Sequence, residues 1–180
     1  RRQRQMCIRD RHKSGGHTLK RDLSASVNDM GDGILNVEFH SILQPRLNPI
    51  DSSYIEMINH ALDLIDEGKY QAVIIGHEGA NFSAGANLNL FLELSQDNQW
   101  DTLDFAVKTF QNMTQRIRFS KGPVVAAPFQ LTLGGGTEII QPAAHRIASA
   151  ETYMGFVEMG VGLIPCLLYT SDAADDVECV

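Results

Sequence analysis

Apolar and polar residues alternate along the segment ILNVEF, where Leu35, Val37 and Phe39 fall on one face. A period of two predicts a strand that buries one side, and the preceding GDG turn supports that assignment. The continuous apolar run at residues 72–76 predicts a second strand, short and buried on both faces. A third buried strand is predicted within KGPVVAAPF, residues 121–129, and short strands at residues 146–149 and 152–156.

Apolar residues recur at spacings of three and four in two other segments, which predicts amphipathic helices. The first helix is predicted to begin at a cap on Asp51 or Ser52 and to end near Gly68. The second covers residues 100–120, and a third opens at the glycines of LGGGTEII. The stripes consist of Ile55, Ile58, Leu62 and Ile65, then Leu103, Ala106, Phe110, Met113 and Ile117. Strands alternating with helices predict an α/β fold, and no internal repeat is evident.

The two ends of the chain differ in composition from its middle. Residues 166–176 back-translate to DNA whose reverse complement, read in another frame, encodes residues 1–10. One inverted DNA segment would therefore account for both ends, and it resembles the adapter of transposon-based sequencing libraries. A natural basic arm and acidic tail is the alternative. We expect residues 1–11 and 166–180 to be non-native adapter-derived segments, residues 12–29 to be a linker or leading edge, and residues 30–165 to be the core.

Charge and cysteine content narrow the possible classes of function. The ends carry five arginines against one aspartate, and three aspartates with one glutamate, so their charges cancel and the core keeps the net charge of −7. An acidic core does not favour nucleic acid as a partner. All three cysteines lie in the end segments, so the core has no disulfide framework and no cysteine nucleophile. No apolar run approaches the ~20 residues that span a bilayer, and we expect a cytoplasmic protein without membrane partners.

No metal site is expected either. The histidines show no paired ligand spacing along the chain; they are His12, His17, His40, His60, His77 and His145.

The loop LGGGTE lacks the lysine of a P-loop, and no G-x-G-x-x-G follows a predicted strand. Both observations disfavour a nucleotide-phosphate site.

Three loops carry the candidate chemistry: NFSAGANL at residues 81–88, QLTLGGGTE at 130–138 and MGFVEMGVGLIP at 154–165. Small residues in the first leave backbone N–H groups accessible, and the second places Gly134, Gly135 and Gly136 at a helix start. Two N–H groups from separate loops could form an oxyanion hole. Glu138 could simply complement the helix dipole, and Glu158 could be a solvated loop residue; a desolvated carboxyl at either position would suit proton transfer.

The motifs FSAGANL, VVAAPFQLTLGGGTE and ETYMGFVEMGVGLIP, in that order, resemble the crotonase superfamily, specifically enoyl-CoA hydratases. The resemblance covers about residues 31–165. It implies an α/β fold of the crotonase type, a spiral of ββα units, and an acyl-CoA substrate with no separate cofactor. The expected reaction is syn addition of water to a 2-enoyl-CoA, which gives a 3-hydroxyacyl-CoA in fatty-acid β-oxidation.

The resemblance also assigns roles to residues. It implies that the backbone N–H groups of Ala86 and Gly135 hold the thioester oxygen. Glu138 is expected to activate the water, and Glu158 to supply the proton. The residues that the resemblance assigns to substrate and CoA binding are Ser83, Ala84, Gly85 and Gly134.

Some positions depart from the usual pattern of the family. Asn87 stands where an aspartate is usual, Thr137 where a cysteine is usual, and His145 in place of a common aspartate. The sequence of residues 143–165 resembles the hydratase part of bifunctional 3-hydroxyacyl-CoA dehydrogenase/enoyl-CoA hydratase proteins more closely. The parent protein is therefore expected to be such a bifunctional β-oxidation protein, with a dehydrogenase domain possible upstream, or a homo-oligomer.

Two other functions stay open at this point. One is an enoyl-CoA isomerase of the same superfamily, and the other is a non-catalytic acyl-CoA-binding module. In the family, glycine and several further helices follow the GVGLIP loop and complete the CoA pocket. We therefore expect the C-terminal helical part to be missing here, and the 180-residue chain to be a hydratase fragment of poor stability or activity.

Overall fold

The computed structural model describes residues 18–165. The predictions for residues 1–17 and 166–180, including both adapter-derived segments and all three cysteines, lie outside the described residues. Among residues 18–165, none of the helices has the length and apolar character that a bilayer span requires.

A six-stranded mixed sheet forms the centre of the molecule, with strand order β1-β2-β3-β4-β5-β7. The first three strands are antiparallel, and the pairs from β3 to β7 are parallel. A separate parallel pair consists of β6 and β8. The strands are β1 Thr18–Arg21, β2 Ala25–Asp29, β3 Ile34–Phe39, β4 Ala72–Ile75, β5 Val124–Ala126, β6 Leu131–Leu133, β7 His145–Arg146 and β8 Tyr153–Gly155.

Within residues 18–165, four α-helices lie between strands and one 3₁₀ helix follows β8. They are α1 Ser52–Asp66, α2 Leu88–Gln96, α3 Trp100–Arg118, α4 Gly135–Ile140 and the 3₁₀ helix Glu158–Val161. Asp51 caps α1 by accepting a hydrogen bond from the backbone N–H of Tyr54, as the sequence predicts. Helix α1 packs against β2, β3 and α3. In the chain it links β3 to its parallel neighbour β4, as helices do in other α/β proteins.

The core lies between α1 and the sheet. The alternating face of β3 contributes Leu35, Val37 and Phe39, all fully buried as predicted. The Phe39 ring stacks on Tyr54 of α1 with centroids 4.0 Å apart. The apolar stripe of α1 faces the same core through Ile58, Leu62 and Ile65, whereas Ile55 is only partly buried.

Several sequence predictions need correction. Residues 18–29 form two paired strands of the sheet, so the leading-edge alternative describes them and the linker alternative does not. Strand β4 is fully buried on one face only, because Ala72 and Ile74 keep partial exposure. Helix α2 and strand β6 were not predicted. Strand β7 is also two residues long and begins at His145, one residue earlier than predicted.

Candidate active site

One cavity of about 110 Å³ collects residues from all three candidate loops. Its walls are formed by residues 84–91, by the start of α4 and by residues 157–164. The predicted site residues that line it are Ala84, Gly85, Ala86, Gly134, Gly135, Glu138 and Glu158. Ser83 does not line the cavity; it is fully buried behind it. The structure therefore brings together seven of the eight predicted residues, while their chemical roles stay predictions.

The first wall is a loop held rigidly from both sides. The Ser83 hydroxyl accepts a hydrogen bond from the Gly85 N–H at 3.1 Å. On the outer side, the Ala84 N–H donates to the Leu47 carbonyl at 2.8 Å, and the Ile50 N–H donates to the Gly85 carbonyl at 2.9 Å. These bonds fix the backbone that leads into Ala86, including the Gly85 carbonyl of the peptide unit that carries the Ala86 N–H, so this N–H has a defined direction.

The second wall is the N-terminal turn of α4. The first N–H groups of a helix have no acceptor within the helix, and Gly135 is the first residue of this one. A Cβ on Gly136 would lie 2.8 Å from the Ser83 carbonyl oxygen, a contact that no side chain tolerates. A Cβ on Gly85 would lie 3.2 Å from the Gly135 nitrogen. Glycine at these positions lets the helix start approach the first loop closely enough for both to face one cavity.

Both predicted carboxylates reach this cavity. Glu138 lies within α4 and is 1% exposed. Glu158 begins the 3₁₀ helix, and its Oε1 lies 3.0 Å from the position that a Cβ on Gly134 would occupy. The Oε2 atom of Glu158 is buried and has no hydrogen-bond partner within the described part of the chain. A carboxylate oxygen held without a partner beside a cavity is suited to bond a group that enters it.

The rest of the lining is apolar and was not predicted from the sequence. Leu88 and Phe91, one turn apart on α2, form one side, and Val161, Leu163 and Ile164 form another. The spacing of three between Leu88 and Phe91 is the signal that could have indicated α2, but the predicted loop ends at Leu88 and the next predicted helix begins at residue 100. An apolar wall beside two carboxyl groups can hold a hydrocarbon chain next to polar chemistry.

Behind the first wall lies a buried polar network centred on Asn48, which adopts a left-handed backbone conformation at φ 48°. Its side-chain oxygen accepts from the Ser41 N–H and from the Tyr54 hydroxyl. Its amide nitrogen donates to the Phe82 carbonyl at 2.9 Å and lies 3.0 Å from His77 Nε2. This network joins the segment before α1 to the start of the loop at residues 82–86.

The environment of His77 lowers its pKa from the ordinary 6.5 to about 4. Burial is the main cause, and the nearby His40 adds to it, whereas the Asn81 carbonyl opposes it. Three phenyl rings surround the imidazole, those of Phe39, Phe82 and Phe129. His77 is therefore neutral at physiological pH and acts as part of the core.

We expect His77 to make folding sensitive to mild acid. The unfolded state binds its proton near pH 6.5 and the folded state only near pH 4, so the free energy of unfolding should fall between these values by about 3 kcal/mol. Urea unfolding at pH 7.0, 5.5 and 4.5 measures this loss. His77→Gln should remove most of the dependence on pH, and His60→Gln should retain it. An identical pH dependence in both variants would contradict the prediction.

No group of three or more histidine, cysteine, aspartate or glutamate residues within residues 18–165 is arranged to hold a metal ion. The cavity offers two carboxyl groups, a set of backbone amides and an apolar wall.

The sequence matches a known protein family and several of its relatives. Residues 43–167 match the family model described as enoyl-CoA hydratase/isomerase, which is more than half of the chain. The chain is 44% identical over 147 residues to a probable 3-hydroxyacyl-CoA dehydrogenase of Bacillus subtilis, covering 82% of this chain and 18% of that protein. It is 28% identical over 124 residues to a putative fatty acid oxidation complex trifunctional enzyme of Rickettsia prowazekii, covering 69% of this chain and 17% of that protein.

The fold also matches solved structures. The crystal structure of enoyl-CoA hydratase from Bacillus anthracis superposes with a TM-score of 0.70 at 24% identity. The match covers 84% of this chain and 57% of that one. The crotonase-type fold predicted from the sequence is therefore confirmed. The chain spans less than one fifth of the length of both relatives.

Proposed function

The chain belongs to the enoyl-CoA hydratase/isomerase family, and from that premise we propose that it carries the active site of an enoyl-CoA hydratase. The substrate is a 2-enoyl-CoA. The oxygen of a water molecule bonds to C3 and a proton is added to C2 on the same face, which gives a 3-hydroxyacyl-CoA. No oxidant, metal or separate cofactor is needed, because CoA is part of the substrate.

The two backbone amides stabilise the charge that develops during this addition. When the water oxygen attacks C3, negative charge moves through the conjugated system to the thioester oxygen. In the proposed complex the N–H groups of Ala86 and Gly135 donate to that oxygen. A fixed donor of this kind is typically worth about 3 kcal/mol in the transition state. The close approach of the two glycine-containing walls supports this arrangement, because both amides belong to residues that line one cavity.

The two glutamates transfer the protons of this reaction. We assign Glu138 to accept a proton from the attacking water and Glu158 to deliver one to C2. Each general acid or base contributes about 10²–10⁴-fold to the rate. The apolar wall of Leu88, Phe91 and Ile164 would hold the hydrocarbon part of the substrate.

The single observation that carries this proposal is that both carboxylates and both amide-bearing residues line the same cavity. Two other functions compete with it. An enoyl-CoA isomerase would use the same amides and need only one acid/base, and the matched family includes both activities. An acyl-CoA-binding module would use the cavity without turnover.

The relatives suggest where such a site would act. One relative is named a dehydrogenase of 3-hydroxyacyl-CoA and another a trifunctional enzyme of fatty acid oxidation. We propose that the parent of this chain is a multifunctional β-oxidation protein, so that its hydrated product passes to a dehydrogenase. The alternative is a homo-oligomeric parent, and for either parent we propose a cytoplasmic location.

A labelled-water assay tests the reaction. The polypeptide encoded by the complete reading frame, and this 180-residue chain beside it, are incubated with 2-butenoyl-CoA in H₂¹⁸O and, separately, in D₂O. A hydratase places one ¹⁸O on C3 and one deuterium on C2, and the absorbance of the conjugated thioester is lost. Conversion of 3-enoyl-CoA to 2-enoyl-CoA without ¹⁸O uptake would favour the isomerase. Tight binding without either product would favour the binding module.

A further inference from the structure

We propose that Thr137 is a positioning residue that holds the segment carrying Glu158 against the helix carrying Glu138. This inference rests on the proposed function, because it assigns a task to a residue that touches neither substrate nor reacting atoms. Thr137 precedes Glu138 directly and is 6% exposed. Its hydroxyl, rather than the volume of its side chain, holds the segment that carries Glu158.

The Thr137 hydroxyl bridges two strands. It donates to the carbonyl of Thr132 in β6 at 2.6 Å. It accepts from the backbone N–H of Gly155, the last residue of β8, at 3.1 Å. A hydroxyl carries one proton and can accept at the same time, so both bonds can exist together. The Gly155 carbonyl also lies 3.1 Å from this oxygen.

Gly155 is the point at which the chain leaves β8 toward Glu158. Its carbonyl accepts from the Gly134 N–H at 2.9 Å, while its N–H donates to the Thr137 hydroxyl. Both backbone groups of Gly155 are therefore bound to residues at the start of α4. Three residues later, Glu158 Oε1 approaches Gly134 itself. Two contacts therefore hold the end of β8 at the start of α4, one from the Thr137 hydroxyl and one from the Gly134 N–H.

A side chain of the same shape without the hydroxyl should weaken this link. Valine has the size of threonine but can neither donate to the Thr132 carbonyl nor accept from the Gly155 N–H, so both hydrogen bonds that tie Thr137 to β6 and to the end of β8 are lost. The end of β8 should then shift, and Glu158 should move with it. Serine keeps the hydroxyl and loses only a methyl group, so it should preserve the link.

Turnover gives the first arm of the test, with the polypeptide from the complete reading frame. Thr137→Val should lower kcat for 2-butenoyl-CoA hydration by about 30-fold, since small misplacements of a catalytic group can cost up to about 10²-fold. KM should stay within about twofold, because Leu88, Phe91 and the two backbone amides lie outside the segment that follows β8. Thr137→Ser should restore kcat to within about threefold of the unaltered enzyme. Thr114→Val is the control: Thr114 is equally buried in α3, donates to the Gln111 carbonyl and does not line the cavity.

Hydrogen exchange gives a second arm that needs no turnover. In Thr137→Val, the amide of Gly155 should exchange at least about tenfold faster than in the unaltered protein, while Thr137→Ser and Thr114→Val keep its protection. Unchanged exchange in the valine variant would overturn the inference, and so would a serine variant as slow in turnover as the valine one. If the unaltered enzyme hydrates no enoyl thioester, the proposed function fails by itself, and the exchange experiment alone decides whether Thr137 holds Gly155.

Discussion

Replacing Glu138 by glutamine should lower kcat for hydration of a 2-enoyl-CoA by about 10²–10⁴-fold. Glutamine has the same shape and fits the same buried position, but its amide cannot take a proton from water at neutral pH. Glu138 is 1% exposed, so water from outside cannot easily supply a substitute base at that place. The measurement is kcat under saturating substrate, with the affinity for a saturated acyl-CoA recorded beside it. That affinity should change little, because the amides and the apolar wall remain.

The same variant separates the competing functions. A hydratase needs two carboxyl groups, so Glu138→Gln and Glu158→Gln should both be severely impaired. An isomerase that relies on Glu158 would lose activity only in the second variant. Glu93→Gln provides a matched control, because Glu93 is exposed on α2 and does not line the cavity. If Glu138→Gln kept the kcat of the unaltered enzyme for hydration, Glu138 would have no part in the mechanism.

The parts of the fold that could be predicted are those whose periodicity reports burial directly. Helix α1, with its Asp51 cap, and helix α3 lie close to their predicted bounds. Helix α1 presents its stripe to a single core, and α3 does so from Phe110 to Ile117, so there the spacing of apolar residues carries the information. In the first half of α3, Ala106 of the predicted stripe is exposed and Leu103 is half-buried. Strand β3 was recovered for the same reason, since one of its faces is apolar and fully buried.

The strands before β3 could not be predicted, because polar side chains occupy buried places in them. Ser26 and Asn28 of β2 are 3% exposed and satisfy each other locally through a 3.4 Å hydrogen bond. Asn28 also accepts from Thr18 of β1 at 2.8 Å. A strand paired on both sides can bury such residues once their partners are in place. Only the pairing of β1 with β2 supplies the Thr18 partner, so the composition suggested a linker or a leading edge.

In the candidate site, too, local features could be predicted from the sequence and long-range contacts could not. Glycine-rich loops and two glutamates are local signals, and the sequence identified them. Their convergence on one cavity depends on a close approach of backbones from distant segments, as between Gly85 and Gly135. The apolar wall was missed because it combines one turn of α2 with residues after the 3₁₀ helix, and neither segment has a distinctive pattern alone.

Because Gly85 lies so close to the start of α4, we expect Gly85→Ala to lose most of its activity. Gly85 has φ 94°, a conformation that costs residues with a side chain roughly 1–2 kcal/mol. A Cβ would in addition lie 3.0 Å from the Leu133 carbonyl oxygen and 3.2 Å from the Gly135 nitrogen. Both are backbone atoms, so they cannot turn aside as a flexible side chain can. The loop and the start of α4 must separate.

Separation of these two walls moves the Ala86 and Gly135 amides apart, and the thioester oxygen can then reach only one of them. We expect kcat/KM for hydration to fall by about 10²–10³-fold, the cost of losing one such donor. Gly68→Ala isolates the cost of backbone conformation, because Gly68 has φ 73° but no atom within 4 Å of its Cβ position. That control should lose stability by about 1–2 kcal/mol, measured by urea unfolding, and keep its turnover. If Gly85→Ala behaved like Gly68→Ala, losing only stability, the two amides could not be acting together on one oxygen.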